Sequence, residues 1–343
     1  MKAQNIQHDL QNWRAIVVPY QQPDTGRAVR QLISSFLPFP ILWAAMYFSL
    51  HWSYAITLLL ACVAAFFLVR IFIIQHDCGH QSFLKSRHWN NLLGYFSSFF
   101  SSIPYTYWAK VHNAHHGHNG QLEHRGIGDI HFLTVEEYHR RSALGKLSYR
   151  LLRTPVFQFM IAPVLYLLVS NRLPMFRVKT WSRAHWPQVL NNLSILVVYG
   201  LLALVLGWKQ FLLVHLPVLF LFGMIAYWFF YVQHQHEHNY QQPKANWDFL
   251  QASIQGSTYY KLPRLFQWLS GNIGFHHIHH LSSSIPNYHL EKCAVENPVL
   301  SRYANTLTFR QSLKCVGHKL WDVKQQRMIS FREYRERGQA ARP

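Results

Sequence analysis

The chain reads as an all-α membrane protein, with four transmembrane helices in two hairpins and a polar, histidine-rich cap on one side. Three observations predict this. Four apolar runs stand in two close pairs, at 32–50 with 54–74 and at 189–206 with 211–232. Charged residues make up only 14% of the 343 residues, against roughly 25% in ordinary soluble chains. The 23 histidines cluster just outside the apolar runs. A mean hydropathy of −0.04 adds that hydrophobic spans must alternate with a large polar part.

Each run approaches the ~20 residues a helix needs to cross a ~30 Å hydrocarbon core. Helices are the natural form there, because they satisfy their own backbone polar groups in lipid. The N-terminal stretch MKAQNIQHDLQNWRAIVVPYQQPD lacks the continuous apolar core of a signal peptide. Leu32–Leu50 and Tyr54–Ile74 form the first hairpin. Val189–Leu206 and Phe211–Val232, separated by GWKQ, form the second. Two shorter apolar stretches, Leu92–Tyr107 and Pro155–Ser170, are expected as interfacial or partly buried helices. Serines 97, 98, 101 and 102 with Pro104 weaken the first as a span, and Pro163 weakens the second.

Lys plus Arg is 33 and Asp plus Glu is 14, a formal charge of +19. The breaks at 51–53 and 207–210 hold only Lys209, while nearly every other basic residue lies in the N-terminal segment, in 76–188 or in 233–343. The excess of Lys and Arg in cytoplasmic loops therefore puts both termini and the polar parts 76–188 and 233–325 in the cytosol. A bacterial inner membrane is the expected location. The tail 326–343, with Arg332, Arg335, Arg337 and Arg342, is expected to sit against anionic headgroups. Nucleic-acid binding is excluded as the reason for the charge, since the basic residues flank hydrophobic spans and no nucleic-acid module lies among them. Four cysteines without a CxxC pair exclude a disulfide scaffold and a thiolate zinc ribbon. The whole chain reads as one membrane domain.

The histidines carry the chemistry. His76 and His80 follow the second run; at i and i+4 they share one helical face. In His112-Asn-Ala-His115-His116 the spacing i, i+3, i+4 puts three imidazoles on one face. The same spacing in HHIHH selects His276, His279 and His280 and turns His277 elsewhere. His234 and His238 share a face just after the fourth run, without His236. A lone pair at i, i+4 is common and means little; three dense clusters on one predicted side mean a metal. One catalytic zinc needs three protein ligands. Eight imidazoles suit two metal ions with about four ligands each, and imidazole suits iron, zinc, copper or nickel.

HDCGH, HNAHH and HHIHH, in that order and between two hairpins, resemble the three histidine boxes of the integral-membrane fatty acid desaturases. FYVQHQ (230–235), GSTYYKLP (256–263) and GNIGFHHIHHLSSSIPNYHL (271–290) are similar to its bacterial Δ12, or ω-6, branch. The resemblance covers roughly residues 30–325. It implies a non-haem di-iron site, with O2 as co-substrate, that introduces a cis double bond into an acyl chain, here a monounsaturated acyl lipid. It implies His76, His80, His112, His115, His116, His276, His279 and His280 as ligands. A ninth ligand is expected just after the last span: His234, with His238 as second choice.

Removing hydrogen from unactivated methylenes is beyond any acid–base pair, so the residues' part is positioning and water exclusion. Carboxylates that would fix the imidazole tautomers are Asp77, Asp129, Glu237 and Asp248, each otherwise an ordinary surface carboxylate. His238 is a further candidate for that role. Trp108, Tyr259, Tyr260 and Trp268 are candidates for lining the acyl tunnel, or equally for an interfacial aromatic belt. Two electrons are needed per turnover, and the chain has no haem-binding motif and no CxxC. A separate donor is expected: a ferredoxin, a rubredoxin or a cytochrome b5 type. Small acidic ferredoxins would be steered to the basic face. Two alternatives stand beside this reading. A membrane di-iron hydroxylase or carotenoid ketolase has similar boxes and would add oxygen instead of forming an alkene. A metal transporter would place its ligands near the bilayer midplane, whereas these histidines lie outside the apolar runs.

Overall fold

The computed structural model describes residues 2–126, 128–172 and 185–340. The helices that position the site are numbered here as α1 (Thr25–Phe36), α2 (Pro38–Ser49), α3 (Tyr54–Gly79), α4 (Arg87–Ser101), α5 (Tyr105–His118), α6 (Trp186–Leu206), α7 (Trp208–His234) and α8 (His276–Leu281). Four candidate spans result: Thr25–Ser49, Tyr54–Gly79, Trp186–Leu206 and Trp208–His234. The first begins earlier than its apolar run because Asp24 caps it, accepting from Arg27 N–H at 2.9 Å. Pro38, which lacks an N–H, marks the junction of α1 and α2.

The two central helices outrun the bilayer. α3 has 26 residues and α7 has 27, or about 39 and 40 Å at 1.5 Å per residue, against a hydrocarbon core of ~30 Å. The surplus turn of each stands beyond the apolar layer, and these turns carry His76 and His234. Ala61, Ala64 and Ala65 on α3 are fully buried; such small side chains let helices approach closely within a membrane. α6 instead turns Leu204 and Val205 outward, each 82% exposed, as expected of lipid-facing residues. Only Gly207, at φ +84°, separates α6 from α7, so the expected four-residue GWKQ break is a single glycine hinge.

The expected helix over 92–107 is two helices. Ser102 adopts a left-handed conformation at φ +59°, and Pro104 precedes the start of α5. Gln75 anchors this turn, donating to Ile103 O at 2.8 Å and accepting from Ser101 Oγ at 2.6 Å. The hairpin of α4 and α5 is thus pinned to α3 one residue before His76. The 155–170 stretch is helical but broken: π-helical turns at Phe157–Ile161 and Tyr166–Ser170 flank Ala162–Leu165. It bends 57° from Ala143–Leu152. It packs against α7 at Gly223, where an added Cβ would lie 3.2 Å from Leu167 and Pro163.

Two small sheets complete the cap. β2 (Thr258–Lys261) pairs in parallel with β3 (Asn305–Thr308). β4 (Leu320–Asp322) pairs in parallel with β1 (Leu133–Thr134) and antiparallel with β5 (Arg327–Ile329). The basic tail forms the helix Phe331–Ala340, where Arg337 pairs with Asp322 and Glu333, and Arg332 with Glu336. Those charges face carboxylates of the protein itself. Arg342 lies outside the described residues.

The N-terminal segment joins the cap as well: Gln7 donates to Asp248 at 2.8 Å and Tyr20 to Glu296 at 2.6 Å. Both ends of the chain therefore lie on the histidine side. A reporter fused after Pro343 is expected to behave as cytosolic and one inserted beside Lys209 as external. The reverse pattern would put the histidines on the side away from cytosolic electron donors.

Candidate metal centre

Four segments far apart in sequence converge. α3 carries His76 in its last turn and presents His80 at its C-cap. α5 contributes His112, His115 and His116 from one face, and α7 contributes its last residue, His234. α8 contributes His276, His279 and His280. It has only six residues, too short to hold itself in place. It is tied down through Asp77, whose Oδ2 accepts from Asn287 N–H at 2.6 Å and Asn287 Nδ2 at 2.8 Å. The other oxygen of Asp77 meets His76 Nδ1 at 2.8 Å. One buried carboxylate thus joins the first box to the chain just past the third.

The imidazoles fall into two groups. His76, His80, His112, His116 and His279 bring ring nitrogens within 4.8 Å of one another, as do His115, His234 and His280. His276 completes the second group, with Nε2 3.0 Å from His234 Nε2 and 3.1 Å from His280 Nε2. The division is five and four rather than four and four.

The donor set fits two cations. An ion ~2.1 Å from each nitrogen sets its ligands about 3.0 Å apart at right angles and about 3.4 Å apart at the tetrahedral angle. The nitrogens of His112 and His116 are 3.1 Å apart, those of His116 and His279 3.0 Å, and those of His115 and His234 3.3 Å. Tautomers point the same way. His234 Nδ1 faces Gly256 O at 3.1 Å, and a carbonyl only accepts, so Nδ1 carries the proton and Nε2 a bare lone pair. His76 likewise gives Nδ1 to Asp77, which leaves its Nε2 buried without a partner, as is His80 Nε2. Bare lone pairs converging inside a protein call for a cation.

Burial keeps these rings neutral. Desolvation first, and repulsion among the rings second, push His80, His112, His116, His276, His279 and His280 well below the ordinary histidine range. Neutral imidazole is the metal-binding form. Apolar rings close the surroundings: Trp108 stacks on His112 at 4.6 Å and Phe230 lies 5.2 Å from His234.

Of the other sequence candidates, Asp77 reaches a ring directly. Asp129 accepts from Ile130 N–H at 2.6 Å, with its carboxyl pushed up to about 7 by burial. It shares a small polar cavity with His115, His118 and Gln121. Glu237 is turned to Arg327 at 3.2 Å, and Asp248 caps Phe249–Gln255; both are engaged in holding the cap together rather than at a ring. His238 is exposed, one turn from the buried His234. His277 meets Ser301 Oγ at 3.0 Å, away from the cluster. Trp108 lies at the cluster. Tyr259 stacks on Phe275 at 4.8 Å, Tyr260 binds Ser312 and Trp228, and Trp268 lies under the Arg70 guanidinium at 3.8 Å. Of those three, only Tyr259 packs beside the start of α8, through Phe275. Sequence reasoning missed Gly256 and Asn287, whose contributions are a backbone carbonyl and a cross-chain contact. Gly256 and Asn287 do stand inside the 256–263 and 271–290 strings, but nothing in either string signals these contacts.

The sequence model of the fatty acid desaturase family matches residues 50–310. The chain belongs to that family. A fatty acid desaturase of Bacillus subtilis (strain 168) is 41% identical over 332 residues, 97% of this chain and 94% of that one. An sn-1 oleoyl-lipid 12-desaturase of Synechocystis is 27% identical over 219 residues, 64% of this chain and 62% of that one. An sn-1 acyl-lipid omega-3 desaturase (ferredoxin) of Nostoc is 27% identical over 307 residues, 86% and 76% of the two chains. The protein is thus an oxidoreductase, a membrane-embedded fatty acid desaturase.

In the desaturase, His234→Ala is expected to abolish product while His238→Ala retains it, because only the first ring is in the cluster. Asp77→Ala removes both the proton acceptor of His76 and the tie to α8; metal affinity should fall about 10–100-fold. Metal content and product, measured on membrane-inserted protein, check both. Equal loss at His234 and His238 would contradict the grouping.

Proposed function

We propose that the desaturase holds two irons and adds a cis double bond at Δ12 of a monounsaturated acyl chain on a membrane lipid, with electrons from a separate ferredoxin-type donor. The single observation that carries the metal reading is the convergence of nine imidazoles into groups of five and four. His76, His80, His112, His116 and His279 would hold one ion; His115, His234, His276 and His280 would hold the other. Iron bound there would supply the O2-reducing chemistry that removal of hydrogen from unactivated methylenes demands.

The residues' own work is separable from that chemistry. Asp77 holds the proton at His76 Nδ1, and Gly256 O holds it at His234 Nδ1. Each Nε2 is thereby kept bare and aimed inward, one anchor in each group. Trp108, Phe72 and Phe222 pack edge to face on the apolar side, with ring centroids 5.0 and 5.6 Å apart, and shut water out. The proposed orientation puts the cap in the cytosol, where soluble electron carriers reach it.

The strings at 230–235, 256–263 and 271–290 support the position of the bond. So do the sn-1 oleoyl-lipid 12-desaturases of Synechocystis and Picosynechococcus, at 27% and 25% identity. The lipid substrate and the donor type are supported by relatives named acyl-lipid desaturases, two of them marked ferredoxin. A tunnel shaped for an existing cis bond presents the wrong carbons of a straight chain, and misplacement by about 1 Å can cost ~100-fold in rate. The test is expression in a host of known lipid composition, with membranes enriched in oleate or in stearate, and mass spectrometry of the methyl esters. Oleate is expected to become linoleate much faster than stearate becomes oleate. A new bond elsewhere, or equal rates, would overturn the Δ12 position; an added oxygen would overturn desaturation in favour of hydroxylation.

A further inference from the structure

The proposed site needs electrons from outside, so some part of its surface must bring a donor close. Seven of the nine imidazoles are buried at 7% exposure or less. His80 and His116 are the two that are partly exposed, and both belong to the group of five. Electron transfer falls off steeply with distance, so this edge is where a donor would couple best.

The surface around that edge is open and polar. Lys110, Asn113 and Gly117 line the outer face of α5 at i, i+3 and i+7, and all three are exposed. Asn113 Nδ2 donates to Gly79 O at 3.3 Å, which sets this face beside the end of α3 that presents His80. Gly117, next to His116, has nothing within 4 Å of where a Cβ would stand. The backbone at Gly117 is therefore open, beside a ring whose Nδ1 is itself covered. The exposed apolar side chains Trp89, Leu92 and Phe96 belong to α4, whereas Lys110, Asn113 and Gly117 belong to α5.

Its own segment carries charge of one sign, while Asp24 comes near the Lys85 loop through Tyr288, which joins Asp24 N–H to Phe83 O. Residues 78–122 contain no Asp or Glu. Lys85, Arg87 and Lys110 are exposed, and no carboxylate pairs with them among the described residues. The loop that carries Lys85 is fastened to the end of α3 and to α4, since Gln81 donates to Cys78 O at 2.9 Å and to Asn91 Oδ1 at 3.0 Å.

We propose that this face, centred on Gly117 and rimmed by Lys85 and Lys110, is the docking surface for a small acidic electron-transfer protein, with His116 and His80 as the point of electron entry. This rests on the desaturase reading above and adds the place of docking. Complementary rim charges would steer the acidic partner and set its association rate.

The test uses the full chain in lipid nanodiscs, with a plant-type [2Fe–2S] ferredoxin and its reductase as one electron source and dithionite as the other. Lys85→Glu with Lys110→Glu should lower kcat/KM for ferredoxin about 10-fold and flatten its salt dependence. Gly117→Trp should weaken ferredoxin binding, measured directly by biolayer interferometry. Both variants should keep the dithionite-driven rate and the metal content of the wild type. Unchanged ferredoxin kinetics would place the donor elsewhere and overturn the proposal. Equal loss with both electron sources would show a structural role and overturn it too, as would a loss that follows the anionic lipid content of the nanodisc. Wild-type protein that makes no alkene with either source would instead refute the desaturase reading beneath it.

Discussion

Nitrogen lone pairs aimed at one another from four distant segments are the constraint on which this fold rests. Imidazole nitrogens 3.0–3.3 Å apart, several without a proton to share, form an arrangement that the protein must hold against its own electrostatics. A bound cation turns that cost into coordination. The surrounding structure can be read as the means of keeping the rings in place: α3 and α7 run past the bilayer to deliver His76 and His234, and the hairpin of α4 and α5 is hooked to Gln75 so that His112 faces His76. Asp77 supports two of these placements at once. Its burial, at 1% exposure, makes loss of either partner costly, because an unpaired buried carboxylate is expensive.

Much of this was legible from residue spacing. HxxxH and HxxHH are short-range patterns, and helical geometry alone decides which rings share a face; His277 turns away as that geometry requires. The spans were legible because lipid demands long apolar helices. Both kinds of reading depend on interactions within a few turns of chain.

What the sequence did not reveal depends on contacts between distant segments. The division into five and four puts His279 with His76, and His276 and His280 with His234, which follows from how α8 lies across the ends of α3 and α7. The resemblance already put His234 before His238; the physical reason, that α7 stays helical to its last residue and that Gly256 waits beside it, lies between distant segments. Glu237 and Asp248 looked equally suited to orient a ring, yet Arg327 and a helix N-terminus claim them. The breaks near Ser102 and at 207–210 left a trace in composition, but that each comes down to one residue at positive φ is a local conformation hydropathy does not encode.

The central claim is that the nine rings form two distinct metal sites. Metal analysis of purified full-length desaturase, with Mössbauer spectroscopy of 57Fe-loaded protein, tests it most directly. Two irons per chain, in two environments matching the two imidazole groups, is the expected result. A single metal per chain, or zinc with full activity in the absence of iron, would contradict it.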